Sequence, residues 1–279
     1  MPGLHNRRDR SVQQEETMPY SIRNGVKTYY EVSGEGFPLV LMHANPFDRR
    51  MFLYQVAHFS TFFKVIHIDL RGYGYSDKPA TPITTTDLCE DVVAVCRQES
   101  AREAVFLGVS VGGVMGLELG LNHPEIFKAL VLIGCSSQPG DRYQSRIDGY
   151  MKQGVPAFHI QHLSDLVSKN FPQTKIGKYL LGMHTEMDSR LSAPAIAEIF
   201  HALRNRDFTL RLPELKMPVM VINGEFDNSL ARSREMAKKI AGAEHHVISG
   251  AGHACCLEDP AAFDEIVFSF LKKHEFVRR

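Results

Sequence analysis

Residues 104–121, A-V-F-L-G-V-S-V-G-G-V-M-G-L-E-L-G-L, run an apolar strand straight into an apolar helix, with Ser110 alone at the turn. Reversing from strand to helix within one residue forces unusual backbone angles on that residue and crowds its neighbours. Gly108 and Gly112 remove the Cβ atoms that would collide, and Gly113 follows. The arrangement holds only where a strand ends at a sheet edge and a helix packs back across the sheet. It predicts that the Ser110 hydroxyl stands clear of that edge, at the positive end of the helix dipole.

The rest of the chain reads as such a sheet. Strands are predicted at 20–23 and 26–31, joined by Asn24-Gly25, the strongest short hairpin signal. Further strands are expected at 38–42, 63–68, 104–109, 129–133, 219–223 and 245–248, and helices at 84–97, 111–121, 232–240 and 260–271. Strand–helix alternation implies an α/β architecture with a largely parallel sheet and helices on both faces. Hydrophobic residues at 44% supply the core. The alternation fails from 138 to 212, where the pattern turns helical. This stretch is read as a helical insertion, whose Met151, Met183, Met187, His159, His162, His184, His201 and Arg204 either pack it or line a pocket.

Residues 1–17 are polar and lack the apolar run of a signal peptide; they are expected to form a flexible extension. No apolar stretch is long enough for a membrane span. Lys plus Arg and Asp plus Glu both total 32, so no net field draws in nucleic acid or an anionic membrane, and a small-molecule substrate is expected. Five cysteines without C-x-x-C spacing argue against a disulfide framework or a metal site. Reduced cysteines point to a cytoplasmic location. No cofactor is expected, and oligomeric state is left open.

A serine hydroxyl is a weak nucleophile without a base, and the base needs an orienting group. In this type of sheet the order is serine, acid, histidine, each on a loop after a strand. Val219–Asn223 runs into G-E-F-D, offering Glu225 and Asp227, with Asp227 preferred. His245–Ile248 runs into S-G-A-G-H, placing His253. Acyl transfer also needs N–H donors for the tetrahedral oxyanion. The amide of Val111 is one candidate, and that of Asn45, in H-A-N-P after the third strand, is the other.

Together H-A-N-P-F-D-R-R-M-F, D-L-R-G-Y-G-Y-S-D-K-P, G-V-S-V-G-G, N-G-E-F-D and G-A-G-H-A-C-C-L-E-D-P make the chain resemble the α/β-hydrolase superfamily. The similar branch holds small esterases, enol-lactonases, C–C hydrolases, cofactor-free haloperoxidases, epoxide hydrolases and haloalkane dehalogenases. The resemblance implies an eight-stranded sheet with core segments 18–137 and 213–279 and a helical cap at 138–212. It makes Ser110 the nucleophile, His253 the base and then acid, Asp227 the orienting carboxylate, and Asn45 and Val111 the oxyanion donors. Asp69 and Arg71 would hold their loop. Ala44 stands where the family has Gly, so its methyl would stiffen the oxyanion loop or narrow the pocket. A serine nucleophile and the lack of tryptophan disfavour the epoxide-hydrolase and dehalogenase branches. The expected activity is hydrolysis of a small carboxylic ester or lactone; a C–C bond hydrolase and a slow-turnover small-molecule receptor are the alternatives.

Overall fold

The computed structural model describes residues 19–79 and 81–277; the extension expected at 1–17 lies outside them. Eight strands form one sheet: β1 (Tyr20–Arg23), β2 (Val26–Ser33), β3 (Phe37–Met42), β4 (Phe63–Ile68), β5 (Ala104–Val109), β6 (Phe127–Ile133), β7 (Val219–Gly224) and β8 (Glu244–Ile248). Their spatial order is β1-β2-β4-β3-β5-β6-β7-β8. From β4 to β8 all neighbours are parallel, while β1 and β2 pair antiparallel. Asn24 and Gly25 both take positive φ, 50° and 79°, which gives the tight β1–β2 turn a twist matching its strands.

The helices are α1 (Leu53–Phe59), α2 (Thr85–Gln98), α3 (Val111–Asn122), α4 (Tyr143–Gln153), α5 (Ala157–Asp165), α6 (Lys175–Thr185), α7 (Ala193–Leu203), α8 (Leu230–Lys238), α9 (Cys255–Glu258) and α10 (Pro260–Lys273). Alternate strand residues feed two cores, as side chains of period two require. Leu39, Leu41, Val105 and Leu107 join Phe59, Phe263 and Phe270 of α1 and α10. Val40, Met42, Phe106 and Leu130 join Leu88, Leu117 and Met236 of α2, α3 and α8 on the other face. The sequence reading missed α1 and α9, which are too short to show a helical period. Helix α2 starts one residue later than expected because Thr84 and Asp87 form a reciprocal capping box there.

Helices α4 to α7 are inserted between β6 and β7, which are themselves hydrogen-bonded neighbours (Leu130 beside Val219). They contribute to both cores, with Tyr150, Ile199 and Phe200 in one and Leu163, Phe171 and Leu180 in the other. The insertion therefore spans the sheet edge instead of resting on a single face.

Candidate active site

Ser110 connects β5 to α3 with φ 56° and ψ −109°, a conformation costly for a residue with a Cβ. Its neighbours meet the steric demand read from the sequence. A Cβ on Gly108 would lie 2.3 Å from the Gly112 carbonyl oxygen, and one on Gly112 would lie 2.4 Å from that of Met42. The Ser110 amide donates to the Ile133 carbonyl at 2.7 Å, tying the turn to β6.

Asp227 follows β7 and His253 follows β8, and their side chains meet: His253 Nδ1 donates to Asp227 Oδ1 at 2.9 Å. The carboxylate also accepts from the Ser229 amide at 2.8 Å and from Asn223 Nδ2 at 2.9 Å. Burial alone would raise the Asp227 pKa, but the imidazole and these donors more than offset it and hold it well below the usual carboxylate range. For His253 the signs reverse. Burial pulls its pKa down, and the charge and hydrogen bond of Asp227 win, leaving it raised. Glu225, the other acid weighed, turns away: its Oε2 accepts from Ser249 Oγ at 3.0 Å and from the Gly250 amide at 2.8 Å.

Ser110, Asp227, His253 and Asn45 line one cavity of about 310 Å³. Ser110 and His253 face it together, with no direct hydrogen bond between them in this arrangement. Such a contact often closes only when substrate binds. Gly134, at the end of β6, makes room for the imidazole; sequence reasoning missed it, although a glycine following a strand at this edge was the available signal.

Asn45 lines the cavity with Ser110, and Val111 follows the serine in the chain. Val111 is the first residue of α3, so its N–H has no intrahelical acceptor. Neither that amide nor the Asn45 amide donates to any described residue. The H-A-N-P loop is pinned by His43, whose Nδ1 donates to the Ala44 carbonyl and whose Nε2 accepts from the Leu70 amide, both at 2.9 Å. Ala44 is fully buried in the core with α1 and α10 and does not line the cavity, so its methyl does not narrow it. The Asn45 side chain is held from both sides: Tyr73 Oη donates to its Oδ1, and its Nδ2 lies 3.5 Å from His162 Nδ1.

Of the insertion residues singled out, His162 reaches the cavity, whereas His159, His184 and Arg204 do not, and no methionine lines it. His159 pairs with Asp188, His184 packs edge-on against Phe47, and Arg204 bonds Gln144. His162 Nδ1 meets Tyr150 Oη at 3.0 Å; with that hydroxyl donating, the neutral ring carries its proton on Nε2. Burial, with the charge of Arg146 adding to it, lowers its pKa and keeps it neutral. The expected structural role of Asp69 and Arg71 fits their contacts: Asp69 accepts from the amides of Arg49 and Tyr75, and Arg71 pairs with Asp91 of α2. Among the described residues no group of side chains has the makings of a metal site, and no helix is long and apolar enough to cross a membrane.

This sheet order, with a strained serine at a strand–helix elbow and helices inserted after β6, is the architecture of an α/β-type hydrolase. The chain belongs to the alpha/beta hydrolase fold family, whose profile matches residues 38–260. It is 24% identical to 3-oxoadipate enol-lactonase 2 of Acinetobacter baylyi, over 88% of this chain and 92% of that one. It is 28% identical to 2-hydroxymuconate semialdehyde hydrolase of Pseudomonas sp. strain CF600, over 90% and 92%. The crystal structure of the enol-lactonase from Burkholderia xenovorans LB400 superposes with a TM-score of 0.86 at 27% identity, over 91% of this chain and 100% of that one.

Proposed function

We propose that this hydrolase cleaves a small carboxylic ester or lactone through an acyl-enzyme formed on Ser110. The observation that carries the reading is the 2.9 Å His253–Asp227 pair lining one cavity with a serine held at φ 56°. Asp227 keeps the Nδ1 proton in place, leaving Nε2 as the base. His253 takes the Ser110 proton as the hydroxyl attacks the carbonyl carbon, and the Asn45 and Val111 amides bind the oxyanion. Collapse breaks the bond to the alkoxide, which leaves with the proton from His253. Water, deprotonated by the same imidazole, then attacks the acyl carbon and releases the acid. Residues 138–212 act as the cap that closes the cavity. The five buried, unpaired cysteines support a cytoplasmic location.

Activity on short p-nitrophenyl esters, lost in Ser110→Ala, is the expected result. A fluorophosphonate should add its mass to the wild type and not to that variant. Hydrolysis that survives Ser110→Ala would refute the assignment.

A C–C bond hydrolase is the second reading, favoured by His162, a neutral donor able to meet a dienolate oxygen. Cleavage of a vinylogous 1,5-diketone at least about 10-fold more efficient than any ester would select it. Turnover below about one per minute on every substrate, far under ordinary enzyme rates, would instead favour a receptor.

A further inference from the structure

Strand β7 reads V-M-V-I-N-G, and alternation puts Asn223 on the face of Val219 and Val221, which belong to the core with α2, α3 and α8. Asn223 is itself wholly buried. A primary amide there is costly unless its donors and its acceptor are engaged. They are: Nδ2 is 2.9 Å from Asp227 Oδ2 and 3.1 Å from the hydroxyls of Ser229 and Ser233, and Oδ1 is 3.1 Å from Nε2 of His245 on β8.

The neighbours fix which way the amide faces. Ser233 Oγ donates its proton to the Cys135 carbonyl at 2.5 Å, so towards Asn223 it can only accept. The ionised Asp227 carboxylate can only accept as well. Both therefore face the NH2 group, and the amide oxygen faces His245, which must donate from Nε2. His245 is half-buried on the outermost strand, and it holds the amide with its hydrogens turned towards Asp227.

The two oxygens of Asp227 divide their partners. Oδ1 accepts from His253 Nδ1 and the Ser229 amide, and Oδ2 accepts from Asn223. Donors at both oxygens fix the plane of the carboxylate, and that plane sets the direction in which Oδ1 meets the imidazole.

We propose that Asn223 is a positioning residue for the reaction, acting through Asp227, and that His245 in turn orients Asn223. The proposal rests on the hydrolase reading above. A line of hydrogen bonds runs His245–Asn223–Asp227–His253, so that both of its ends belong to β8 and the loop after it.

The test uses the full chain with p-nitrophenyl butyrate, together with the low-field proton resonance of His253 Nδ1–H, which needs no substrate. Asn223→Leu keeps the volume and removes both polar ends of the side chain. It should lower kcat at least about 10-fold with KM within about twofold, because the loss falls on the transition state, and it should shift or broaden the resonance. His245→Val suits the strand and removes the donor, and it should lower kcat at least about 3-fold. His245→Gln, whose amide nitrogen can stand where Nε2 stood, should keep the wild-type kcat and resonance. If Asn223→Leu does not fold, the His245 pair decides alone. Variants that melt earlier but keep kcat and the resonance would overturn the proposal, since a purely structural role predicts that result. Equal losses in His245→Val and His245→Gln would overturn it too. Either failure leaves ester hydrolysis standing; if the folded wild type hydrolyses no ester, the hydrolase reading fails and the positioning role fails with it.

Discussion

Gly134 lies directly beneath His253: a methyl added to it would come 2.7 Å from ring Cε1, 2.8 Å from Nδ1 and 3.0 Å from Asp227 Oδ2. Its φ of +60° adds backbone strain to any side chain placed there. Gly134→Ala should therefore displace the imidazole while the sheet, built from β6 and β7 hydrogen bonds, persists. We expect kcat/KM to fall at least about 30-fold, since misplacing a reacting group by about 1 Å costs about 100-fold. Circular dichroism should stay native. Activity within twofold of wild type would show that the ring tolerates the shift.

Ser110 pays for its position in backbone strain. Ser110→Gly relieves that strain and Ser110→Ala does not, so the glycine variant should be the more stable by about 1–3 kcal/mol, although both are inactive. Urea denaturation of the pair measures this. Equal midpoints would mean the elbow is unstrained.

The proposed mechanism needs neutral His253, whose pKa is raised by Asp227 above the ordinary imidazole value. The acid limb of the kcat/KM profile should accordingly lie above about pH 6.5. Asp227→Asn removes the charge that raises it, so the limb should move to lower pH while kcat drops by about 10³–10⁴-fold. A limb that stays in place or moves upward would contradict the assigned coupling.

Tyr73 holds Asn45 through a hydrogen bond to its side-chain oxygen. Tyr73→Phe leaves that buried acceptor unsatisfied, costing about 1–3 kcal/mol of stability, and loosens the loop carrying the Asn45 amide. We expect kcat to fall about 5- to 20-fold with KM nearly constant, because an oxyanion donor acts in the transition state. A change confined to KM would argue that Asn45 binds ground-state substrate instead.

Much of this arrangement was legible because it is local. The glycines around Ser110, the Asn24-Gly25 turn and the loops after β7 and β8 each announce themselves within a few residues, and strand alternation fixes which edge they share. What escaped depends on distant partners. The sequence favours Asp227 over Glu225 two positions away, but the contacts behind that choice appear only in the fold, where one meets His253 and the other caps the loop at Gly250. Asp69 finds Arg49 and Arg71 finds Asp91, pairings with no sequence signature. The insertion was recognisable as helical, but which residues of α4 and α5 look inward depends on how those helices roll over the sheet edge. Hence His162 could not be told from His159, and Arg142 and Arg146, which also line the cavity, passed unnoticed.

The chain leaves the sheet after β6 and re-enters at its immediate neighbour β7, so the two ends of the excursion are moored side by side. Residues between those moorings can be exchanged or lengthened without altering any strand register, except that the stretch at Leu166 is tied to the His253 loop, where the Ala254 amide donates to the Leu166 carbonyl at 2.8 Å. The cavity wall is thereby shared between the insertion, through Tyr143, His162 and Leu166, and the sheet loops that hold Ser110, Asp227 and His253. Changes confined to the insertion half of that wall would reshape the space around Ser110 while the groups proposed to react stay anchored at the strand ends.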